Sequence, residues 1–151
     1  SGSVAIEAAQ IASGGQVFAI EMDAEDHALI TSNAERFGVS NLVPVLGRAP
    51  DAWADLPDPD CVFVGGSGRE ISRVIALAYG RLRSGGRLVA NVGSVESLSA
   101  VYQSLERLAK DVNLWMINIA RGTYQLERVR FEALNPTFLL SVVKGGATGK
   151  H

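Results

Sequence analysis

The feature that most constrains the fold is a regular alternation of two kinds of segment along the chain. Short runs rich in β-branched and aromatic residues are separated by stretches in which apolar residues recur every three or four positions. Such alternation indicates βαβ units, and therefore an α/β fold with a parallel sheet and helices on both faces. The predicted strands are residues 16–22, 42–46, 60–65 and 87–92.

Three helices are predicted to connect and follow these strands. The first is capped by Asp23 and stopped by Gly38, and its inner face carries Ile30, Ala34 and Phe37. The inner face of the second is formed by Ile71, Val74, Ile75, Ala78 and Leu82, and that of the third, after Ser94, by Leu98, Val101, Tyr102 and Leu105.

Two details refine the predicted topology. Pro44 lies within a predicted strand, and because proline cannot donate to a strand ladder, this strand is expected at an edge of the sheet. In the last third of the chain, residues 112–120 and 138–143 both resemble strands, with no helical pattern between them. A connection without a crossover helix predicts an antiparallel C-terminal strand pair.

The start and end of the chain carry two further expectations. Residues 1–7 resemble the end of a glycine turn that runs into a helix, without the strand that should precede it. The sequence is therefore interpreted as one domain, residues 1–144, whose first, central strand is missing at the N-terminus. The glycine-rich segment 145–151 lacks apolar anchors and is predicted to be a flexible tail.

Composition narrows the possible functions. The 151 residues are 47% hydrophobic with a formal net charge of −2, and no apolar run reaches the length of a membrane span, so neither nucleic-acid nor membrane binding is favoured. The single cysteine, Cys61, excludes an intramolecular disulfide and a multi-cysteine metal site, and no metal is expected. Its apolar neighbours predict a buried thiol. A cytoplasmic protein fits these features.

Two positions in the first third suggest a nucleoside-like ligand. Gly2 lies before a helix N-terminus, where backbone can approach a ligand, although a glycine there can equally serve only to turn the chain. Glu21 ends a predicted strand about 20 residues after that glycine, where a carboxylate can accept ribose hydroxyls. The alternative for Glu21 is an acid near a helix N-terminus. The segment 47–51 after the next strand fits either an adenine-covering loop or a plain turn.

A second group of candidates follows the later strands. The segment 63–68 runs from a strand directly into three glycines within four residues, so its backbone N–H groups can face a ligand. Asn91 ends the next strand and is interpreted either as a residue at the edge of the cleft or as a loop-forming asparagine. Arg121, Arg128 and Arg130 can bind carboxylates, or can belong to a solvated surface loop. No motif for a nucleophilic or metalloprotease-type catalyst appears.

Several motifs occur together in an order that resembles one family. They are Gly-Ser-Val-Ala-Ile-Glu (2–7), Ala-Pro (49–50), Leu-Pro-Asp-Pro-Asp (56–60), Phe-Val-Gly-Gly-Ser-Gly (63–68), Val-Ala-Asn (89–91) with Glu96 after it, and Glu-Ala-Leu-Asn-Pro (132–136). This order resembles the decarboxylating precorrin-6Y C(5,15)-methyltransferases of cobalamin biosynthesis, whose domain has the Rossmann-like class I S-adenosylmethionine (SAM) methyltransferase fold. The resemblance covers nearly the whole chain.

The resemblance implies SAM-dependent methylation of carbon 15 of a precorrin, with decarboxylation of the ring C acetate. It implies a polycarboxylate tetrapyrrole substrate, and either a homotetramer or a fusion to a carbon-5 methyltransferase domain. The residues it implies are Gly2, Ser3, Glu21, Met22, Ala49 and Gly65 for the cofactor, Gly66, Ser67 and Asn91 for catalysis, and Gly68, Arg69, Arg121 and Arg128 for the substrate.

Three other functions remain open at this stage. Another class I methyltransferase, such as one acting on transfer RNA adenine, would share the fold, but the net charge speaks against a basic groove. A nicotinamide-dependent dehydrogenase domain would use a similar loop and ribose acid, but the antiparallel C-terminal pair argues against it. A non-enzymatic interaction module of the same fold is the third.

Overall fold

The computed structural model of the chain describes residues 2–66 and 68–145, and the side chain of Arg69 is also left undescribed. Within these residues four α-helices and eight strands form two compact units that divide between Leu56 and Pro57. The predicted catalytic residue Ser67, and all of the predicted tail except Gly145, lie outside the described residues. The two units are taken in turn.

The first unit is a parallel two-stranded sheet with two helices. Its elements are α1 (Ser3–Ile11), β1 (Val17–Glu21), α2 (Ala24–Arg36) and β2 (Leu42–Leu46), followed by a 3₁₀ turn at Asp51–Trp53. Strands β1 and β2 pair in parallel from Val17 opposite Leu42 to Glu21 opposite Leu46. Because α2 connects them, this is the predicted βαβ unit. The core of the unit is Ile6, Ala9, Ile30, Ala34 and Leu42.

The sequence signals around α2 and β2 are largely confirmed. Asp23 caps α2 by accepting hydrogen bonds from the backbone N–H groups of Glu25 and Asp26 at 2.9 and 3.0 Å. Pro44 lies in β2 opposite Ala19, and among the described strands β2 pairs only with β1, as an edge strand does. The prediction for Phe37 is wrong. Helix α2 ends one residue earlier, so Phe37 is turned out of the helical face and is 56% exposed.

The second unit is a four-stranded mixed sheet with helices on one face. Its strands β3 (Cys61–Gly65), β4 (Arg87–Val92), β5 (Asn113–Ile117) and β8 (Thr137–Val143) lie in the order β3-β4-β8-β5. Strands β3 and β4 are parallel, whereas β8 is antiparallel to both β4 and β5. The predicted antiparallel C-terminal pair is therefore confirmed as β5 with β8. Together the two units have the expected α/β character.

Helices α3 (Ile71–Arg81) and α4 (Val95–Leu108) pack against each other and against this sheet. Ser94 caps α4 through the backbone N–H of Ser97 at 3.1 Å. Six residues of β3, β4 and β8 on the helix-covered face are almost inaccessible to solvent, and they share this face because alternate residues of each strand point to the same side. They are Val64, Leu88, Ala90, Val92, Leu140 and Val142, all 6% exposed or less.

Cys61 corrects a sequence prediction. It is exposed rather than buried, because it begins β3 on the face opposite Val64, which the helices of its unit do not cover. Partial desolvation of its sulfur still raises the pKa of the Cys61 thiol, while the neighbouring Arg87 guanidinium opposes that shift and Asp60 adds to it. Its apolar sequence neighbours did not reveal which face of the strand it occupies.

A two-stranded hairpin inserted between β5 and β8 was not predicted. It consists of β6 (Ala120–Gln125) and β7 (Arg128–Ala133), joined by Leu126 and Glu127. The predicted strand 112–120 therefore breaks after Ile117, and the arginines lie on a hairpin instead of in a loop. Both turn residues have positive φ, of 48° and 60°. Such turns usually contain asparagine and glycine, so the turn had no sequence signature.

The Leu-Pro-Asp-Pro-Asp motif has a structural explanation in the second unit. Asp58 accepts a hydrogen bond from Arg81 Nε at 3.1 Å, and Asp60 pairs with Arg83 at 3.3 Å. These contacts tie the segment before β3 to the end of α3. Among the helices of the described residues, none combines the length and the apolar character that a membrane span requires.

Candidate functional site

In the first unit, the predicted cofactor residues gather at one edge of the sheet, the edge formed by the carboxyl ends of β1 and β2. Glu21 is the last residue of β1, and its backbone oxygen accepts a hydrogen bond from the N–H of Gly47, just beyond β2, at 2.9 Å. Because β1 and β2 are parallel, both carboxyl ends lie at this edge, which is where open α/β sheets bind ligands. Met22, which is 69% exposed, directly follows β1, and Ala49 lies three residues beyond the end of β2.

The N-terminus of α1 lies at the same edge. The C-terminal end of α1 is anchored at the opposite edge by Asn41, which precedes β2 and whose amide donates to the carbonyls of Ala9 and Ala12 at 2.9 and 2.8 Å. The nine-residue helix is about 13 Å long, close to the length of a five-residue strand. Gly2 and Ser3, which begin α1, are therefore carried to the end where Glu21 lies.

The Glu21 carboxylate is free to accept further hydrogen bonds. Its Oε1 accepts the backbone N–H of Asp23 at 3.0 Å, which holds the side chain at the start of α2. Among the described residues its other oxygen has no hydrogen-bond partner, and the side chain is half-buried. The structure thus shows Glu21 beside a helix N-terminus and at the carboxyl end of β1, and its role toward a ribose stays a prediction.

Gly2 is required by packing. Its φ of 70° is left-handed, and a Cβ atom at this position would lie 2.7 Å from Cγ1 of Ile30. Any larger residue would therefore push α1 away from α2. Packing against Ile30 is enough to explain why glycine is needed at this position, whether or not a ligand binds there. The cofactor role of Gly2 therefore remains a prediction.

In the second unit, the glycine loop and Asn91 end neighbouring strands. Gly65 and Asn91 lie opposite each other at the carboxyl ends of β3 and β4. Gly66 and Gly68 both have left-handed φ, of 67° and 56°, and in the described part of the chain no atom lies within 4 Å of a Cβ built on either. Open space beside backbone that only glycine adopts easily is what the close approach of a ligand requires. The loop then enters a 3₁₀ turn at Gly68–Glu70 and helix α3.

Asn91 is oriented by a residue that the sequence analysis missed. Thr137, the first residue of β8, donates its hydroxyl to Asn91 Oδ1, and the same hydroxyl lies 3.3 Å from the carbonyl oxygen of Val92. Both Asn91 and Thr137 are half-buried. The only signal in the sequence was the position of Thr137 directly after the Asn-Pro pair that precedes the last strand.

The predicted substrate arginines lie on the hairpin. Arg121 is in β6 and Arg128 is in β7, and both are exposed. Strand β5 runs parallel to β4, because each is antiparallel to β8, so the hairpin leaves the sheet at the edge where Asn91 lies. The loop, Asn91 and the hairpin therefore belong to one end of the second unit. Within the described residues, no cluster of three or more histidine, cysteine or acidic side chains is arranged to hold a metal ion.

The comparisons with known proteins resolve which family this geometry belongs to. A family model described as "Precorrin methyltransferase domain" matches residues 1–144. The chain belongs to the precorrin methyltransferase family. It is 39% identical, over 93% of its length and 73% of the relative's, to a protein of Pyrobaculum calidifontis named "Probable cobalt-precorrin-6B C(15)-methyltransferase (decarboxylating)". The family match favours this reading over the transfer RNA, dehydrogenase and interaction-module alternatives.

Two further relatives place the chain within this family. It is 41% identical to a precorrin-6Y C(5,15)-methyltransferase (decarboxylating) of Sinorhizobium, covering 81% of the chain but 29% of that longer protein. The crystal structure of a precorrin-6Y C5,15-methyltransferase from Geobacter metallireducens superposes with a TM-score of 0.86 at 33% identity, covering 94% of this chain and 75% of that one. A SAM-dependent O-methyltransferase from Thermotoga maritima, at 20% identity and a TM-score of 0.72, shares the class I fold alone.

Proposed function

We propose that this protein methylates carbon 15 of a precorrin macrocycle with SAM as methyl donor and removes the ring C acetate carboxyl group as carbon dioxide. The observation that carries this proposal is the family match over residues 1–144. The nature of the site agrees with it. Glycine backbone with open space beside it and the unpaired carboxylate oxygen of Glu21 suit the binding of a nucleoside and a large flat substrate.

In this proposal the cofactor is held largely by the first unit. Glu21 accepts the ribose hydroxyls through its unpaired oxygen, while the bond from Asp23 keeps the carboxylate in place. Gly2 and Ser3 present the positive end of α1, and Met22 and Ala49 border the adenosine. The resemblance also implies Gly65 as a cofactor residue. The free acceptor on Glu21 is the structural feature that makes these residues fit SAM.

The transfer itself needs positioning more than acid–base chemistry. SAM supplies a methyl group bonded to a positively charged sulfur, and once the methyl group is transferred the rest of the cofactor is a neutral thioether. The acceptor, an electron-rich pyrrolic carbon, is already a nucleophile. The proposed tasks of Gly66, Ser67 and Asn91 are therefore to orient the reacting carbon and to exclude water. Gly68, Arg69, Arg121 and Arg128 are proposed to bind the macrocycle and its carboxylates.

We also propose that the protein is a homo-oligomer, a tetramer, and that it acts in the cytoplasm. One face of the hairpin supports self-association. Tyr124, Val129 and Phe131 are 73%, 60% and 74% exposed. An isolated two-stranded hairpin is only marginally stable in water, so an uncovered apolar face on such a hairpin favours burial against a partner. A second copy of this chain is the partner proposed.

The test of the enzymatic proposal is a calorimetric titration with S-adenosylhomocysteine. The unaltered protein is expected to bind it, and Glu21→Gln is expected to weaken binding at least about tenfold, a loss of about 1.4 kcal/mol. Glutamine keeps an acceptor for the Asp23 N–H but lacks the charged second oxygen that would face the ribose. The comparison therefore isolates the ligand-facing role from the local structural one.

Glu25→Gln is the matched control, because Glu25 is an exposed acid in the first turn of α2, away from the proposed ribose contact. It should bind like the unaltered protein. Absence of binding by well-folded unaltered protein would overturn the enzymatic proposal. Equal losses in both variants would show that general charge, rather than the ribose contact, explains the effect.

A further inference from the structure

The hairpin β6–β7 has two chemically different faces. In an antiparallel pair, directly opposed residues point to the same side, and successive residues alternate. The register therefore puts Gly122, Tyr124, Val129 and Phe131 on one face, which is apolar. The opposite face carries Arg121, Thr123, Gln125, Arg128, Arg130 and Glu132. Such strict separation indicates that the two faces contact different partners.

The polar face concentrates positive charge that nothing in the described structure neutralises. Arg121, Arg128 and Arg130 form no ion pair with any described residue, although Glu132 is on the same face. Elsewhere in the second unit, arginines such as Arg81 and Arg83 do pair with carboxylates. In a chain of net charge −2, three unpaired guanidinium groups on one face form a local site for anions.

The geometry at the tip of this face makes it suitable for a large ligand. Gln125, Leu126, Arg128 and Arg130 line a shallow cavity of about 240 Å³. Leu126, at the turn, is 91% exposed, so an apolar side chain lies beside the two arginines. An apolar side chain next to two guanidinium groups suits a flat ring system that carries carboxylates, whereas binding of phosphate alone would not need the leucine.

We propose that this basic face is a carboxylate-binding surface for the tetrapyrrole substrate, with Arg130 acting together with Arg128 at the tip and Arg121 nearer the sheet. The inference rests on the proposed function, which it extends to a third arginine and to a specific face of the hairpin. Its location supports it, because the hairpin leaves the sheet at the end where Asn91 and the glycine loop lie. A substrate held there reaches from the hairpin toward that loop.

The experiment titrates the full chain with uroporphyrin, a polycarboxylate porphyrin, and follows the quenching of porphyrin fluorescence. Arg130→Gln is expected to weaken binding by about fivefold to tenfold. The double variant Arg128→Gln/Arg130→Gln should weaken it by about fiftyfold, because charge-assisted hydrogen bonds from both arginines are lost. Arg130→Lys should recover only part of the loss, because lysine keeps the charge without the planar fork. A cationic porphyrin should not bind.

Arg73→Gln is the matched control, since Arg73 is an exposed arginine on α3 that pairs with Glu70 at 3.8 Å. It should leave uroporphyrin binding unchanged. Uroporphyrin binding within twofold of the unaltered protein in the double variant would overturn the inference, and so would an equal loss in Arg73→Gln. The inference would also be overturned if neither the unaltered protein nor any variant bound uroporphyrin, while the arginine substitutions abolished binding to an RNA oligonucleotide.

S-adenosylhomocysteine binding by the same variants separates this inference from the function on which it rests. The hairpin variants should keep it unchanged. If the unaltered protein binds uroporphyrin through Arg130 but does not bind S-adenosylhomocysteine, the proposed function fails while the carboxylate surface stands. If it binds S-adenosylhomocysteine but the arginine variants bind uroporphyrin normally, only the surface fails.

Discussion

Asn91 illustrates how a single residue in this fold depends on a partner far away in the sequence. Its side-chain oxygen is held by the hydroxyl of Thr137, 46 residues later, across the β4–β8 pairing. With its oxygen engaged in this way, Asn91 keeps its amide N–H₂ as a possible donor to a ligand. We therefore propose Thr137 as a positioning residue that acts through Asn91.

Thr137→Val tests this role, because valine keeps the shape of threonine and removes only the donor. We expect kcat for methyl transfer to a precorrin substrate to fall by about tenfold or more, since small losses of orientation are costly in such a site. The affinity for S-adenosylhomocysteine should not change, because the residue does not contact the proposed cofactor positions. Steady-state kinetics with a parallel calorimetric titration provides both numbers.

Thr137→Ser is the rescue control, because it restores the hydroxyl and should recover most of the kcat. A valine variant whose kcat stays within twofold of the unaltered protein would show that Thr137 is only a strand residue. If Thr137→Ser lowered kcat and the thermal stability while Thr137→Val changed neither, packing of the threonine methyl group would explain the role of the residue instead.

At the scale of elements, Asn41 joins a helix to a strand. Its amide donates to Ala9, Ala12 and Gly15 at 2.9, 2.8 and 3.1 Å, and its backbone oxygen accepts the N–H of Val17. It therefore supplies donors to carbonyls at and just beyond the C-terminal end of α1, where helical N–H donors run out. The Ala12 carbonyl also accepts the N–H of Gly15 at 3.0 Å. The Asn41 contact also fixes which end of α1 reaches the ligand-binding edge, so a local bond determines the placement of Gly2 and Ser3.

Asn41→Ala should lower the free energy of unfolding by about 1–3 kcal/mol, because it leaves part-buried carbonyls without a donor. Asn41→Asp should cost more, since a carboxylate would face three carbonyl oxygens. Urea unfolding followed by circular dichroism measures both. The neighbouring exposed Ser40→Ala is the control and should change the value by no more than about 0.5 kcal/mol. An Asn41→Ala value no larger than that of Ser40→Ala would contradict the assignment.

The hairpin is the element that sequence reasoning missed, and its turn explains why. A two-residue turn with positive φ at both positions normally appears as asparagine and glycine, but here it is Leu126 and Glu127. The strand prediction for residues 112–120 also joined two strands that belong to different sheets. No burial periodicity could separate them, because every residue of β5 and of the hairpin strands is exposed except the half-buried Thr123.

At the scale of the whole molecule, the apolar face of the hairpin predicts the assembly state. Phe131→Glu introduces a charge into this face, and we expect it to weaken self-association by about 2 kcal/mol or more, as the loss of a central aromatic contact commonly does. Size-exclusion chromatography with light scattering over a range of concentrations measures the effect. The unaltered protein should elute as an oligomer and the variant as smaller species.

Gln125→Glu is the control for added negative charge, since Gln125 lies on the opposite, polar face of the same hairpin. It should leave the assembly unchanged. A monomeric unaltered protein at micromolar concentration would overturn the proposal of a homo-oligomer. An unaltered elution profile for Phe131→Glu would show that the copies associate through another surface.

Much of the architecture could be predicted because it depends on local, periodic signals. The alternation of strand runs and helical spacing determined the α/β class, the caps Asp23 and Ser94 determined where two helices begin, and Pro44 indicated an edge strand. The resemblance, carried by ordered motifs, identified the family that residues 1–144 match. Each of these features is expressed by residues close together in the chain, so no tertiary contact was needed to recognise it.

The tertiary structure alone decided which distant residues lie side by side and which face of a strand each residue occupies. The exposure of Cys61 depended on which side of the sheet α3 and α4 cover, and the orientation of Asn91 depended on β8 arriving beside β4. The alignment of Arg121, Arg128 and Arg130 on one face required the register of β6 with β7. The physical reason is common to all three: pairing and packing place residues side by side across long loops, and a one-residue shift in register would reverse every face.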